Sequence, residues 1–182
     1  YHIRNMFAAS YDTAKVVHQS QTTIKLLVCD MQGTTIVDGG IANSCFRRAL
    51  RVHNAQLEKS GYDLNTLKYD VNRTFEYFLL EEYEKYPGKI KFVRDDLPDY
   101  FEELRDKGIK IALNSEYNSR IQDFIIERLG MESMVDAYVC AEDVGAGRPA
   151  PDMLLKLMND CGVDDPREVC KVGDTVLDIQ EG

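Results

Sequence analysis

The chain lacks the features that mark several large protein classes. No apolar run approaches the roughly 18 residues needed to cross a bilayer, so a membrane partner is not expected. No secretory signal is visible. The five cysteines, Cys29, Cys45, Cys140, Cys161 and Cys170, are odd in number and contain no CxxC pair. A disulfide framework is therefore not expected, and a reducing, cytoplasmic compartment is. Basic residues are in the minority: 22 Lys and Arg stand against 31 Asp and Glu, a formal net charge of -9. That balance argues against a broad basic face and hence against nucleic acid as a partner. Internal repeats and low-complexity segments are absent. The chain opens at Tyr1 rather than Met, and residues 1–23 carry Arg4, Lys15 and one acid, Asp12. They read as an N-terminal extension, with the remnant of a mitochondrial or other organellar transit peptide as the lesser reading.

What remains is ordinary globular composition, 44% hydrophobic and 29% charged over 182 residues, enough for one domain with a small insertion. Ile24 to Cys29 is a short apolar run that ends in Asp30 and reads as a buried parallel strand. Asn43 to Ser60 and Thr66 to Tyr86 have helical spacing, stopped by Gly61 and by Pro87–Gly88. Strands and helices then alternate. Strands are expected at Ile109–Leu113, Ala137–Cys140 and Val169–Val172. Helices are expected at Asp96–Lys107, Ser119–Leu129 and Ala150–Cys161. This pattern predicts an α/β fold, a doubly wound parallel sheet (Rossmann-like) with helices on both faces. The expected division is a core of residues 24–39 and 93–182 with a small helical cap, residues 40–92, inserted after the first strand. The chain stops at Gly182 where another helix should begin, so one or two C-terminal strands are expected beyond it.

In open parallel sheets the site lies beyond the carboxyl ends of the strands. Four such ends carry polar groups: Asp30, Asn114–Ser115, the loop from Glu142 to Arg148, and Asp174. Cleaving a phosphoryl group covalently needs a carboxylate nucleophile, a divalent cation and fixed donors to offset the charge. Asp30 before a glycine turn can be the nucleophile. Asp174 and Asp178 can hold Mg2+ through oxygen. Ser115 can donate to a phosphate oxygen, and Arg148 supplies a permanent cation of fork geometry.

Asp30-Met-Gln-Gly-Thr-Thr35, Ser115, Gly147-Arg-Pro-Ala-Pro-Asp152 and Gly173-Asp-Thr-Val-Leu-Asp178 stand in the order and spacing of the four motifs of the haloacid dehalogenase (HAD) superfamily. The pieces DxxGTT, GRPAPD and VGDTxxD resemble the phosphonoacetaldehyde hydrolase (phosphonatase) branch and its phosphonatase-like relatives. The resemblance covers residues 24–38 and 94–182, and the cap only loosely. It implies that Asp30 is nucleophile and Mg2+ ligand, and that the Gln32 carbonyl is a second ligand. Asp174 would complete the site, with Asp178 ligating or orienting a bound water. Ser115 and Arg148 would bind the transferred phosphoryl group, with Thr34, Asn114 and Gln32 facing the substrate. The implied function is a Mg2+-dependent hydrolase of a small phosphorylated or phosphonate molecule through an aspartyl-phosphate.

The sequence departs from this pattern in two places. HAD phosphatases carry an acid–base Asp two residues after the nucleophile, where this chain has Gln32, which exchanges no proton at neutral pH. Phosphonatases use a cap lysine as a Schiff base. Lys59, Lys68, Lys85, Lys89 and Lys91 are available, Lys68 being the best placed. The alternative is a catalytically weak or inactive HAD scaffold or subunit of a larger assembly, and the expected protein partners are a second copy through the cap or that larger assembly. A dehalogenase would leave the acidic pair Asp174 and Asp178 without a purpose. His2, His18 and His53 match no motif. Tyr69, Phe75, Tyr77, Phe78 and Tyr83 are expected to form the packed face of the cap.

Overall fold

A computed structural model of the chain describes residues 23–57 and 64–182. The N-terminal extension, apart from Thr23, lies outside the described residues, as does Lys59. The main sheet has four parallel strands: β1 (Leu26–Asp30), β4 (Lys110–Ser115), β5 (Ala137–Cys140) and β6 (Val169–Val172), in the order β5-β4-β1-β6. β1 is central, paired with β4 from Leu26↔Lys110 to Asp30↔Asn114 and with β6 from Leu26↔Val169 to Cys29↔Val172. That register puts Asp30, Asn114 and the residues after Val172 at one edge of the sheet.

The strands are apolar on both faces because helices cover both. Leu26, Val28, Ala112 and Val139 face Met153, Leu157 and Cys161 of α6 (Asp152–Cys161). The alternate residues, Leu27, Cys29, Ile111 and Leu113, face Phe101 of α3 (Leu97–Asp106) and Ile121 and Ile125 of α4 (Ser119–Leu129). The two sets alternate along each strand, offset by one residue, as the two-residue period of strand geometry requires. Each fully buried Leu or Ile stabilises the fold by about 1.5–3 kcal/mol relative to exposure. α6 begins at Asp152 rather than at the expected Ala150, because Pro149 and Pro151 interrupt the helix before its first turn. A short helix, α5 (Ala141–Val144), follows β5, and α7 (Val176–Glu181) follows β6. All five cysteines are free, and four are buried. Among the described residues β6 pairs only with β1, and no helix is long and apolar enough to cross a membrane.

Between β1 and α3 the chain leaves and rejoins the sheet through a two-stranded antiparallel ribbon, β2 (Ile36–Val37) with β3 (Lys91–Phe92). Strands of two residues leave no periodicity to read, and the sequence did not predict them. The ribbon brackets two helices, α1 (Ile41–Leu57) and α2 (Leu64–Lys85). Both start two residues before their expected N-termini. For α1 the reason is Asp38, whose carboxylate accepts from the backbone N–H groups of Gly40 (2.8 Å) and Ala42 (2.6 Å) at the positive end of the helix. α1 and α2 pack through Cys45, Ala49, Leu79 and Tyr83, with Phe46 edge-to-face on Phe75 at 5.6 Å. The aromatic stripe divides. Tyr83, Phe75 and Phe78 pack inward as expected, but Tyr69 and Tyr77 are 66% and 63% exposed. Their spacing of eight residues places both on the outer side of α2.

Candidate active site

Asp30 ends the central strand and is 5% exposed. Burial pushes its carboxyl up to about 6, against the lowering effect of the Arg148 guanidinium, whose Nη2 lies 2.8 Å from Asp30 Oδ1. The turn that follows folds back on itself. Gly33, Thr34, Thr35 and Ile36 return their N–H groups to the turn, and the Thr35 hydroxyl donates to the Asp30 carbonyl at 3.0 Å. Gly33 has φ +91°, a conformation that favours glycine. A Cβ there would overlap the Asp174 carboxylate. The turn therefore brings Asp174 over the loop after Asp30 only because residue 33 has no side chain. Thr34 donates to Asp174 Oδ1 at 3.4 Å.

Asp178 is fixed from three sides. It and Thr175 form a reciprocal capping box at the start of α7, with Thr175 Oγ1 donating to Asp178 Oδ2 at 2.5 Å. Lys171 Nζ donates to Oδ1 at 2.7 Å, and Arg148 Nε lies 3.1 Å from the same atom. Burial works against the carboxylate, but the bonds from Lys171 and Thr175 and the charge of Arg148 outweigh it and hold its pKa below the usual range. Carboxylate oxygens of Asp30, Asp174 and Asp178 lie within 4.8 Å of one another.

The residues present fit a divalent cation. The cluster holds two cations, Arg148 and Lys171, and four carboxylates, Asp30, Asp174, Asp178 and Glu181. In ionised form they leave two negative charges in excess. Hard oxygen donors in that number suit Mg2+. Gly33 and Gly173 both clear the space: a Cβ on Gly173 would overlap the Asp178 side chain.

The other expected residues fall as follows. Ser115, 3% exposed at the end of β4, accepts from the Tyr117 N–H at 3.0 Å, which leaves its own proton free to donate. It does not cap α4; Asn118 does, accepting from Ile121 N–H at 3.0 Å. Asn114 is fully buried beneath the strand ends. Its amide nitrogen donates to Glu181, and its oxygen accepts from Arg148 and Lys171. The Gln32 amide nitrogen donates to Asp38 at 3.1 Å. Its Oε1 is buried with no partner among the described residues.

Sequence reasoning missed three groups. Lys171 sits inside a short apolar strand, where an unexplained charge is itself a signal. Glu181 gave none, because its partners Asn114 and Arg148 are remote in sequence, and for Asp38 only the link to Tyr83 is remote. Asp38 is 1% exposed and also accepts from the Tyr83 hydroxyl of α2 at 2.9 Å. It thus ties together the loop after Asp30, the N-terminus of α1 and the C-terminal half of α2. Burial, chiefly, raises the Tyr83 hydroxyl well above its ordinary pKa.

The family model of haloacid dehalogenase-like hydrolases matches residues 24–182. A phosphonoacetaldehyde hydrolase of Bacteroides fragilis is 35% identical over 114 residues, 62% of this chain and 42% of that protein. A phosphonoacetaldehyde hydrolase-like protein of Syntrophobacter fumaroxidans is 31% identical over 142 residues, 78% of this chain and 48% of that one. The chain thus spans less than half the length of these curated relatives. Among solved structures, a phosphonoacetaldehyde hydrolase-like protein from Oleispira antarctica matches with a TM-score of 0.70 at 21% identity, over 87% of this chain and 68% of that one. A HAD-superfamily hydrolase from Geobacter sulfurreducens matches with a TM-score of 0.65 at 16% identity, over 87% and 84%. With four parallel strands in this order, Asp30 at the end of the central one and a family match across nearly all the described residues, the chain belongs to the haloacid dehalogenase-like hydrolases.

Proposed function

We propose that this chain is a Mg2+-dependent phosphoryl hydrolase that works through an aspartyl-phosphate on Asp30, with a small phosphorylated or phosphonate molecule as substrate. The observation that carries the reading is the setting of Asp30: at the end of the central strand, 2.8 Å from a buried guanidinium and within 4.8 Å of two further carboxylates. Asp30, Asp174 and Asp178 would hold Mg2+, with the Gln32 carbonyl as a further ligand. The cation supplies charge neutralisation that lets a carboxylate approach an anionic phosphorus. Asp30 attacks phosphorus as the bond to the leaving group breaks, and water then attacks the aspartyl-phosphate to release phosphate. Arg148 and the Ser115 hydroxyl donate to the phosphoryl oxygens, where charge accumulates. Thr34 lies at the same mouth and would help place the substrate. The helices α1 and α2 act as the cap that closes over the site and excludes water.

Proton transfer distinguishes this site from a phosphomonoesterase. Gln32 offers no proton, and the oxygens of nearby Asp38 are committed to four donors. The described cap lysines, Lys68, Lys85, Lys89 and Lys91, are exposed, whereas an amine that adds to an aldehyde is usually set in a desolvated pocket. These two observations favour a second reading, a HAD scaffold of weak or no activity. Phosphate release with Mg2+, measured over phosphonoacetaldehyde and a panel of small phosphomonoesters, decides between them. Release that disappears in Asp30→Asn supports the hydrolase, and borohydride trapping of a lysine adduct identifies C–P cleavage. Release from no substrate above the Asp30→Asn background overturns it in favour of the scaffold.

A further inference from the structure

We infer that Glu181 is a positioning residue for the phosphoryl site, the buried counter-charge that anchors Arg148 and Lys171 and shares them with the metal ligands. The inference rests on the hydrolase reading above. Glu181 lies in the last turn of α7, and its side chain has no exposure. Its two oxygens accept from Asn114 Nδ2, each at 2.9 Å, and Oε2 accepts from Arg148 Nε at 3.0 Å. Lys171 Nζ stands 3.5 Å from the same oxygen. Glu181 belongs to none of the four motifs and is not among the three carboxylates that converge to hold a cation.

Its importance follows from which anions Arg148 and Lys171 can count on. Arg148 touches Asp30, Asp178 and Glu181; Lys171 touches Asp178 and stands near Glu181. In the proposed hydrolase Asp30 and Asp178 would be shared with Mg2+, and Asp30 would also serve as the nucleophile. Among the described residues, Glu181 is the carboxylate that touches Arg148 and stands near Lys171 without also being called on to hold the metal or to react. It also sets Asn114. A carboxylate only accepts and the two cations only donate, so the amide nitrogen must face Glu181 and the oxygen must face Arg148 and Lys171. Asn114 then holds Arg148 Nη2 at 2.8 Å, the same nitrogen that reaches Asp30. Without Glu181, Arg148 and Lys171 would turn wholly to Asp30 and Asp178, competing with the metal and leaving the guanidinium loose.

The test is isothermal titration of Mg2+, and of inorganic phosphate in the presence of Mg2+, into the parent chain, Glu181→Gln and Glu181→Ala. Circular dichroism checks the fold of each. Folded variants should bind both ligands about tenfold more weakly. Where phosphate release is measurable, KM should rise more than kcat falls, because an anchored guanidinium contributes first to phosphoryl binding. Lys171→Met combined with Glu181→Gln restores the buried charge balance. It serves as the test if the single variants do not fold, and it too should lose phosphate affinity. Folded variants that bind both ligands within twofold of the parent overturn the inference alone. A parent that binds neither Mg2+ nor phosphate overturns the hydrolase reading and this inference with it. Failure of all three variants to fold would make Glu181 a folding residue and overturn the inference.

Discussion

The strand ends and the helical insertion are built by opposite means. At the strand ends, Asn114, Arg148, Lys171, Asp178 and Glu181 form one buried polar network in which each member touches at least two others, and Arg148 ties Asp30 to it. The insertion is joined to the sheet body by aromatic packing and a few polar links. Phe75 stacks on Tyr117 at 6.4 Å and Tyr83 on Phe124 at 6.2 Å. Tyr83 donates to Asp38, and Glu76 accepts from Asn118 (2.7 Å) and Arg120 (2.8 Å). A network of interdependent charges tolerates little displacement. An interface of ring contacts and isolated hydrogen bonds can slide or open at modest cost. The difference suits a division between fixed chemistry and a movable cover.

Breaking the network should have the largest effects. Gly33→Ala places a Cβ against Asp174 and strains a backbone at φ +91°, and Gly173→Ala crowds Asp178. Each should weaken Mg2+ binding on the order of 10- to 100-fold with the fold retained, measured by titration calorimetry. A pH series sharpens the same point. Asp30 ionises at about 6, and its carboxylate is the form that binds a cation. Mg2+ affinity should therefore fall about tenfold between pH 7 and pH 5. The sign for stability is opposite. The folded-state pKa lies above the unfolded value of 3.8, so this group stabilises the metal-free chain at low pH and that contribution is lost as pH rises through about 6. Denaturant midpoints with and without Mg2+ would separate the two trends.

Changes at the insertion should act on stability and leave metal binding alone. Tyr83→Phe removes a buried donor from Asp38 and should cost about 1–3 kcal/mol in urea unfolding, with Mg2+ affinity within twofold. Glu76→Gln weakens its pair with Arg120, which is 75% exposed, so the loss should be about 0–1 kcal/mol. An effect of Tyr83→Phe on Mg2+ as large as that of Gly173→Ala would erase the contrast between the two regions.

The same contrast explains what the sequence made legible. β1, β4, β5 and β6 could be read because a strand covered on both faces is a continuous apolar run. Asp30, Ser115, Arg148, Asp174 and Asp178 could be named because each follows such a run or its loop, and topology brings those ends together. Asn114 was read as facing the substrate from its place beside Ser115; the structure instead puts its side chain under the site, fully enclosed by Glu181, Arg148 and Lys171. Period-2 reasoning gives a side chain's face and not its partners. The bonds from Asp38 to Tyr83, from Lys171 to Asn114 and from Glu181 to Asn114 span 45, 57 and 67 residues, a distance no local pattern encodes. In the insertion, helix existence was legible, but the outward turn of Tyr69 and Tyr77 was not, because aromatic residues occupy both sides of α2.

The β2–β3 ribbon has a consequence for how such molecules diversify. Ile36 pairs with Phe92 and Val37 with Lys91, so everything between them departs from and returns to one point of the scaffold, at a strand spacing of about 4.8 Å. Segments closed at such a clasp are thermodynamically interchangeable, since doubling a loop's length adds only about 0.6 kcal/mol of closure entropy. If the insertion covers the site as proposed, exchange of this stretch between homologous genes, cut at Val37 and Lys91, would carry substrate choice with it while leaving the register of the central sheet untouched.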